Sequence, residues 1–206
     1  MTMTSNSSDV ALAWLTSAPE CNWGGVSCDA FGNIALFFSQ IENNNLEGSI
    51  PAELEHLTNL RALRLKIGKI SGEIPPTVGS LPLLQDLCLD FNVLRGSIPS
   101  TLYHLTNLTS LDLSNNMLSG TVASEVGNLE QLQELRLGNN FFAGTLPDVL
   151  GGLRQLTSMS MQFNDLSGSV PEGLCLGHVE ELTMDCRDGD RSSPPFVACP
   201  CCTFCF

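Results

Sequence analysis

From about residue 60 onward the chain repeats one arrangement, Leu-x-x-Leu-x-Leu, whose last two apolar positions alternate with outward ones. A strand with one buried face needs that alternation, because successive side chains point to opposite sides. The apolar pairs are Leu63/Leu65, Leu87/Leu89, Leu111/Leu113, Leu135/Leu137 and Met159/Met161. The spacing between copies is 24 residues, and a glycine keeps the same period at Gly48, Gly72, Gly96, Gly120, Gly144 and Gly168. The fullest copy is "LTSLDLSNNMLSGTVASEVGNLEQL", Leu108 to Leu132, while "FFSQIENNNLEGSIP" is degenerate ahead of Ile41. The pattern predicts parallel strands centred near residues 63, 87, 111, 135 and 159.

Three residues after each strand stands an asparagine: Asn44, Asn92, Asn116, Asn140 and Asn164, with Gly68 in the second copy. There the chain turns inward and buries backbone groups that no strand neighbour can satisfy. An asparagine amide carries both donors and an acceptor for them. The turn holding Gly68 is therefore expected to be the weak point of the ladder. After each glycine the chain returns across the opposite side, where Pro51, Pro75, Pro99, Pro147 and Pro171 forbid a long helix. No single repeat buries its own apolar side; stacking does so, at about 4.8 Å per turn. The predicted fold is α/β: a right-handed solenoid of 24-residue repeats with a parallel β-sheet along its concave face.

Composition narrows the function. Nine Lys+Arg against 22 Asp+Glu give a net charge of −13, which repels nucleic-acid phosphates and anionic lipid and favours a basic partner. No apolar run approaches the ~18 residues of a membrane helix. Of nine cysteines, all but Cys88 gather at the two ends, as staples made in an oxidising compartment do. The opening "MTMTSNSSDVALAWLTSAPEC" lacks the basic start and long apolar core of a secretory leader. The expectation is an exported protein, extracellular or at the cell surface, whose leader lies upstream of Met1.

The Leu-x-Gly-x-Ile-Pro that follows each asparagine makes the repeat resemble the plant-type subclass of leucine-rich repeat proteins, over roughly residues 10 to 186. The start "ALAWLTSAPECNWGGVSCD" is similar to that subclass's N-terminal cap through Trp14, Cys21, Trp23, Gly25, Val26 and Cys28. The resemblance implies a Cys21–Cys28 disulfide and an extracellular recognition module, as in plant receptor ectodomains and polygalacturonase-inhibiting proteins. Three regions follow: an N-terminal cap over 1–35 with flexible first residues, about six repeats over 36–174, and a Cys-rich C-terminal cap over 175–206. Gly68, Ala123 in a proline slot, and the strand before Ile41 depart from the pattern.

In the tail, "HVEELTMDC" reads as one more strand, with Val179, Leu182 and Met184 facing the core. Cys175, Cys186, Cys199, Cys201, Cys202 and Cys205 form an even set whose pairing the sequence leaves open. Adjacent Cys201 and Cys202 suit a tetrahedral zinc site poorly, and a prenylation box would need cysteine where Thr203 stands. Cys88, between Leu87 and Leu89, is the odd thiol, expected to face outward and to be free or paired with another chain.

No catalytic constellation emerges. His56, His104 and His178 do not converge, and Asp185, Asp188 and Asp190 lack a complete calcium-loop pattern. The reading is a non-enzyme without cofactor or metal that binds a protein, peptide or glycan through the sheet face. Arg61, Arg64 and Lys66 place three of nine basic residues on one strand, and Ile67 and Phe91 add an apolar edge. Asp112, Arg136 and Phe163 extend the candidate footprint. The alternatives are a structural or ice-interacting solenoid, against which the mixed charges argue, and a truncated receptor ectodomain.

Overall fold

The computed structural model describes residues 26–28, 34–38, 47–176, 178–185 and 197–205. Numbered in chain order, its strands alternate between two sheets. The even-numbered strands are β2 (Ile34–Phe38), β4 (Ala62–Arg64), β6 (Asp86–Cys88), β8 (Ser110–Asp112), β10 (Glu134–Arg136), β12 (Ser158–Ser160), β14 (Glu181–Met184) and β16 (Phe204–Cys205). They form the concave parallel sheet, with β1 (Val26–Cys28) added antiparallel at its edge. Leu63, Leu87, Leu111, Leu135, Met159 and Leu182 are successive cross-strand partners. All six are buried, so each turn covers the apolar side of the last.

The odd-numbered strands form a second parallel sheet that the sequence reading did not anticipate: β3 (Glu47–Ser49), β5 (Lys69–Gly72), β7 (Val93–Gly96), β9 (Met117–Gly120), β11 (Phe141–Thr145), β13 (Asp165–Ser169) and β15 (Val197–Ala198). Its signal was the exposed-buried-exposed run of Val93, Leu94 and Arg95, repeated each turn but only a few residues long. Each full-length strand of this sheet reaches a glycine in the left-handed region; Gly96 has φ 81°, where a side chain would be strained.

Five-residue 3-10 turns such as Ser100–His104 then carry the chain back, burying Leu54, Val78, Leu102, Val126 and Leu150 in turn. Every helical element among the described residues is of this tight type. A proline precedes most of them, and Ala123 adopts the same extended geometry (φ −76°, ψ 153°) as Pro99 (φ −65°, ψ 136°). The substitution therefore leaves the path unchanged.

The asparagine ladder forms as expected. Asn92 Nδ2 donates to Leu65 O at 2.7 Å and Leu89 O at 3.1 Å, while its Oδ1 accepts the Ile70 N–H at 3.1 Å. Asn116, Asn140 and Asn164 repeat the arrangement. Leu65 and Ile70 belong to the turn containing Gly68, so that turn receives from Asn92 the same bonds that later turns receive from the asparagine after them. The preceding-turn backbone that an asparagine at 68 would reach lies outside the described residues. At the far end the Asn164 N–H donates to Asp185 Oδ2 at 3.0 Å.

The tail continues both sheets. β14 pairs with β12, β15 with β13, and β16 returns to pair with β14. Leu182 and Met184 are buried, and Val179 packs against the core. Disulfides join Cys175 to Cys201 and Cys199 to Cys202, with Cα separations of 5.4 and 5.5 Å. Cys28 is disulfide-bonded; its expected partner Cys21, like Cys186, lies outside the described residues.

Candidate functional site

Strand register sets the concave face as columns. One column runs Arg64, Cys88, Asp112, Arg136, Ser160, Thr183, Phe204; beside it runs Ala62, Asp86, Ser110, Glu134, Ser158, Glu181. The two columns bring Arg64, Asp112 and Arg136 from the expected footprint onto one surface.

The basic strand is largely neutralised. Arg64 Nε donates to Asp86 Oδ2 at 2.7 Å, and that bond, ahead of an opposing burial effect, raises the guanidinium above its usual value. Lys66 Nζ lies 3.4 Å from Asp90 Oδ1. Arg136 is shared between Glu134 and, at 3.9 Å, Asp112. With half-exposed cations these pairs contribute under ~1 kcal/mol each, so their role is to cancel charge locally rather than to hold the fold. Arg61 is exposed and forms no ion pair among the described residues.

Cys88 corrects an expectation. It lies in the outward column and is a free cysteine, yet it is only 6% exposed. Burial pushes its thiol up to about 12; Lys66 pulls against this, and Asp112 and Asp90 add to it. Asp112, at 5% exposure, is buried as well and accepts hydrogen bonds from the Ser114 N–H and hydroxyl. The reading from alternation missed this because the flanking side chains are long enough to roof the centre of the sheet. The ligand atoms of Cys88, Asp90 and Asp112 lie within 4.8 Å of one another, with the Lys66 ammonium beside Asp90 as their counter-charge.

Just beyond each strand lies one residue in the left-handed backbone region: Ile67, Phe91, Asn115, Asn139 and Phe163, with φ between 52° and 59°. Asparagine tolerates this region; a β-branched or aromatic residue there is an outlier costing roughly 1–2 kcal/mol. Ile67, Phe91 and Phe163 are nevertheless 58, 53 and 51% exposed. On the other side of the ladder Val93, which flanks Asn92 opposite Phe91, is exposed, as are Met117 and Phe141 opposite Asn115 and Asn139, so an apolar margin follows the ladder from one side to the other. Sequence reasoning found Ile67, Phe91 and Phe163 but not this margin, since it did not foresee the second sheet.

The C-terminal strands carry a cavity of about 400 Å³. Ser158, Ser160, Gln162 and Glu181 line it, with Arg136 from the strand before and Thr183 and Phe204 from the strands after. The sequence signal was a local fall in side-chain size: Arg136 gives way to Ser160 along one column and Glu134 to Ser158 along the other.

The description leucine-rich repeat region matches residues 37–187. The plant peptide hormone receptor RGFR1, in complex with RGF2, is similar at 33% identity over 70% of this chain and 24% of that one, TM-score 0.67. The Arabidopsis receptor kinase HAESA, in complex with the peptide hormone IDA and the co-receptor SERK1, is similar at 29% identity over 85% of this chain and 34% of that one, TM-score 0.73. A plant ice-binding protein is similar at 29% identity over 86% of this chain and 59% of its own, TM-score 0.75. This chain thus spans less than two thirds of each of these structures. Repeat period, asparagine ladder, double sheet and these likenesses converge: the chain belongs to the leucine-rich repeat family, in its plant-type extracellular group.

Proposed function

We propose that this chain is an extracellular, non-enzymatic recognition module that binds an extended peptide or protein segment along the concave sheet and its apolar margin. The observation that carries the reading is the exposure of Ile67, Phe91 and Phe163 in a backbone conformation that asparagine or glycine would occupy at lower cost. Bulky apolar groups exposed there offer a partner rigid contact area. The margin runs beside a polar face with one exposed arginine, Arg61, which offers a forked donor to a carboxylate or to a sulfated or acidic glycan. Resemblance to receptors crystallised with peptide hormones adds weight to a peptide ligand.

Selection from a random peptide library tests this. Selected peptides should lose binding to Phe91→Asn and Arg61→Glu, and keep it for Glu53→Ala and Asp148→Ala on the returning side. Equal sensitivity on both sides, or insensitivity of the concave side, would refute the reading. The likeness to an ice-binding protein favours a second reading, for which the column Ala62, Asp86, Ser110, Glu134, Ser158, Glu181 is too mixed to offer a uniform row. Strong inhibition of ice recrystallisation by the protein would reverse that preference.

A further inference from the structure

The cavity over the C-terminal strands differs in charge from the rest of the concave face. Its one cation, Arg136, is already shared by two carboxylates, Glu134 and Asp112. Glu181 forms no ion pair among the described residues; its Oε2 only accepts the Ser158 hydroxyl at 3.3 Å. The cavity therefore holds more carboxylate than its guanidinium neutralises. Phe204, 54% exposed, supplies an aromatic wall across the hydroxyl floor of Ser158 and Ser160. Gly138 lies under one of the lining groups: a Cβ there would come within 3.0 Å of the Gln162 amide and displace it.

We infer that this cavity is a socket for one basic side chain, lysine or arginine, of the bound segment; the inference rests on the reading of the concave face as the recognition surface. An ammonium or guanidinium there gains the Glu181 carboxylate, hydroxyl acceptors from the floor, and the face of an aromatic ring. An anion would meet Glu181, Glu134 and Asp112, and a neutral group would leave Glu181 without a counter-charge. The net charge of −13 steers a basic segment toward the protein in the first place.

The test is an amide chemical-shift titration of the whole chain with short capped alanine peptides carrying one central arginine, lysine, citrulline or glutamate. Arginine and lysine peptides should give saturable shifts centred on Ser158, Ser160 and Thr183. Citrulline, or Glu181→Gln in the protein, should weaken binding about tenfold, as the loss of one charge-assisted contact does. Glu181 is exposed, so the variant keeps its fold, which unchanged shifts elsewhere will verify. Equal response to citrulline, preference for glutamate, or shifts confined to other regions would each overturn the socket. A peptide selected on the concave face that depends on Phe91 but not on Glu181 would overturn the socket alone and leave the recognition reading standing.

Discussion

Asn116 Oδ1 accepts the backbone N–H of Leu94, 22 residues earlier, at 3.0 Å, while its Nδ2 donates to Leu89 O at 2.9 Å in that same earlier turn. One side chain thereby ties two turns together and satisfies backbone groups that burial has cut off from water. Asn116→Ala strands those groups and should cost about 2–4 kcal/mol in urea unfolding, since each buried unsatisfied group costs ~1–3 kcal/mol. The neighbouring Asn115→Ala should cost about 1 kcal/mol, the left-handed backbone term alone. Equal losses at both positions would show that the ladder is not what distinguishes them.

Phe91→Asn should separate stability from binding. It places at φ 56° the residue type found at Asn115 and Asn139, and should raise stability by about 0.5–1 kcal/mol. If the same change abolishes binding of a selected peptide, the aromatic is retained for its partner. A destabilised variant would mean instead that the ring packs to structural benefit.

Cys88 should resist alkylation in the native protein at pH 8 and react fully after denaturation. Burial and a thiol value of about 12 both suppress the thiolate. Rapid native labelling, read by peptide mapping, would contradict the roofed geometry.

Burial, reinforced by Asp112, raises the Asp90 carboxyl above the ordinary aspartate value, against the pull of Lys66. The folded state therefore holds this proton to higher pH than the unfolded chain, and stability from this group falls as pH rises through the folded value. Asp90→Asn should then increase Tm at pH 7, with the advantage vanishing below the unfolded value of ~3.9. A lower Tm for the variant at pH 7 would mean that the Lys66 pair outweighs the desolvation of Asp90.

With Cys88 free, the remaining eight of nine cysteines are expected in four disulfides. Cys175–Cys201 and Cys199–Cys202 leave Cys186 for Cys205 within the tail, and Cys21 for Cys28 at the start. Intact mass before and after reduction checks the count, and non-reduced peptide mapping checks the pairs. Equimolar zinc with reduced tail thiols would overturn this assignment.

The repeat made the concave sheet legible because a 24-residue period fixes register: Leu63, Leu87 and Leu111 had to be neighbours. The asparagine slot was legible for the same reason, as its function follows from where the chain must turn. The second sheet was not, because its strands give at most one buried residue each, too few for alternation to register. Within the site, Ile67 and Phe91 were visible as apolar residues at outward slots. The direction of Cys88 was legible but its depth was not, because alternation gives only direction; the reach of Lys66 and the neighbouring charged side chains decides how far an outward residue is covered. The C-terminal cavity escaped because its space comes from what is small, Ser158 and Ser160, rather than from a residue that stands out in the sequence.

The two sheets do not climb at the same step. In the concave sheet Glu134 lies opposite Ser158, one whole period on, whereas in the second sheet Arg95 lies opposite Met117, two residues short of a period. Through the complete repeats, from β4 to β13, each coil therefore shears by the same increment relative to the one below. Groove length and groove winding are coupled: inserting one more 24-residue unit would lengthen the surface and rotate its ends together. Such an insertion could not change either quantity alone. A stiff, straight partner would lose contact as the coil count grew, while an extended flexible segment could follow the winding at any length.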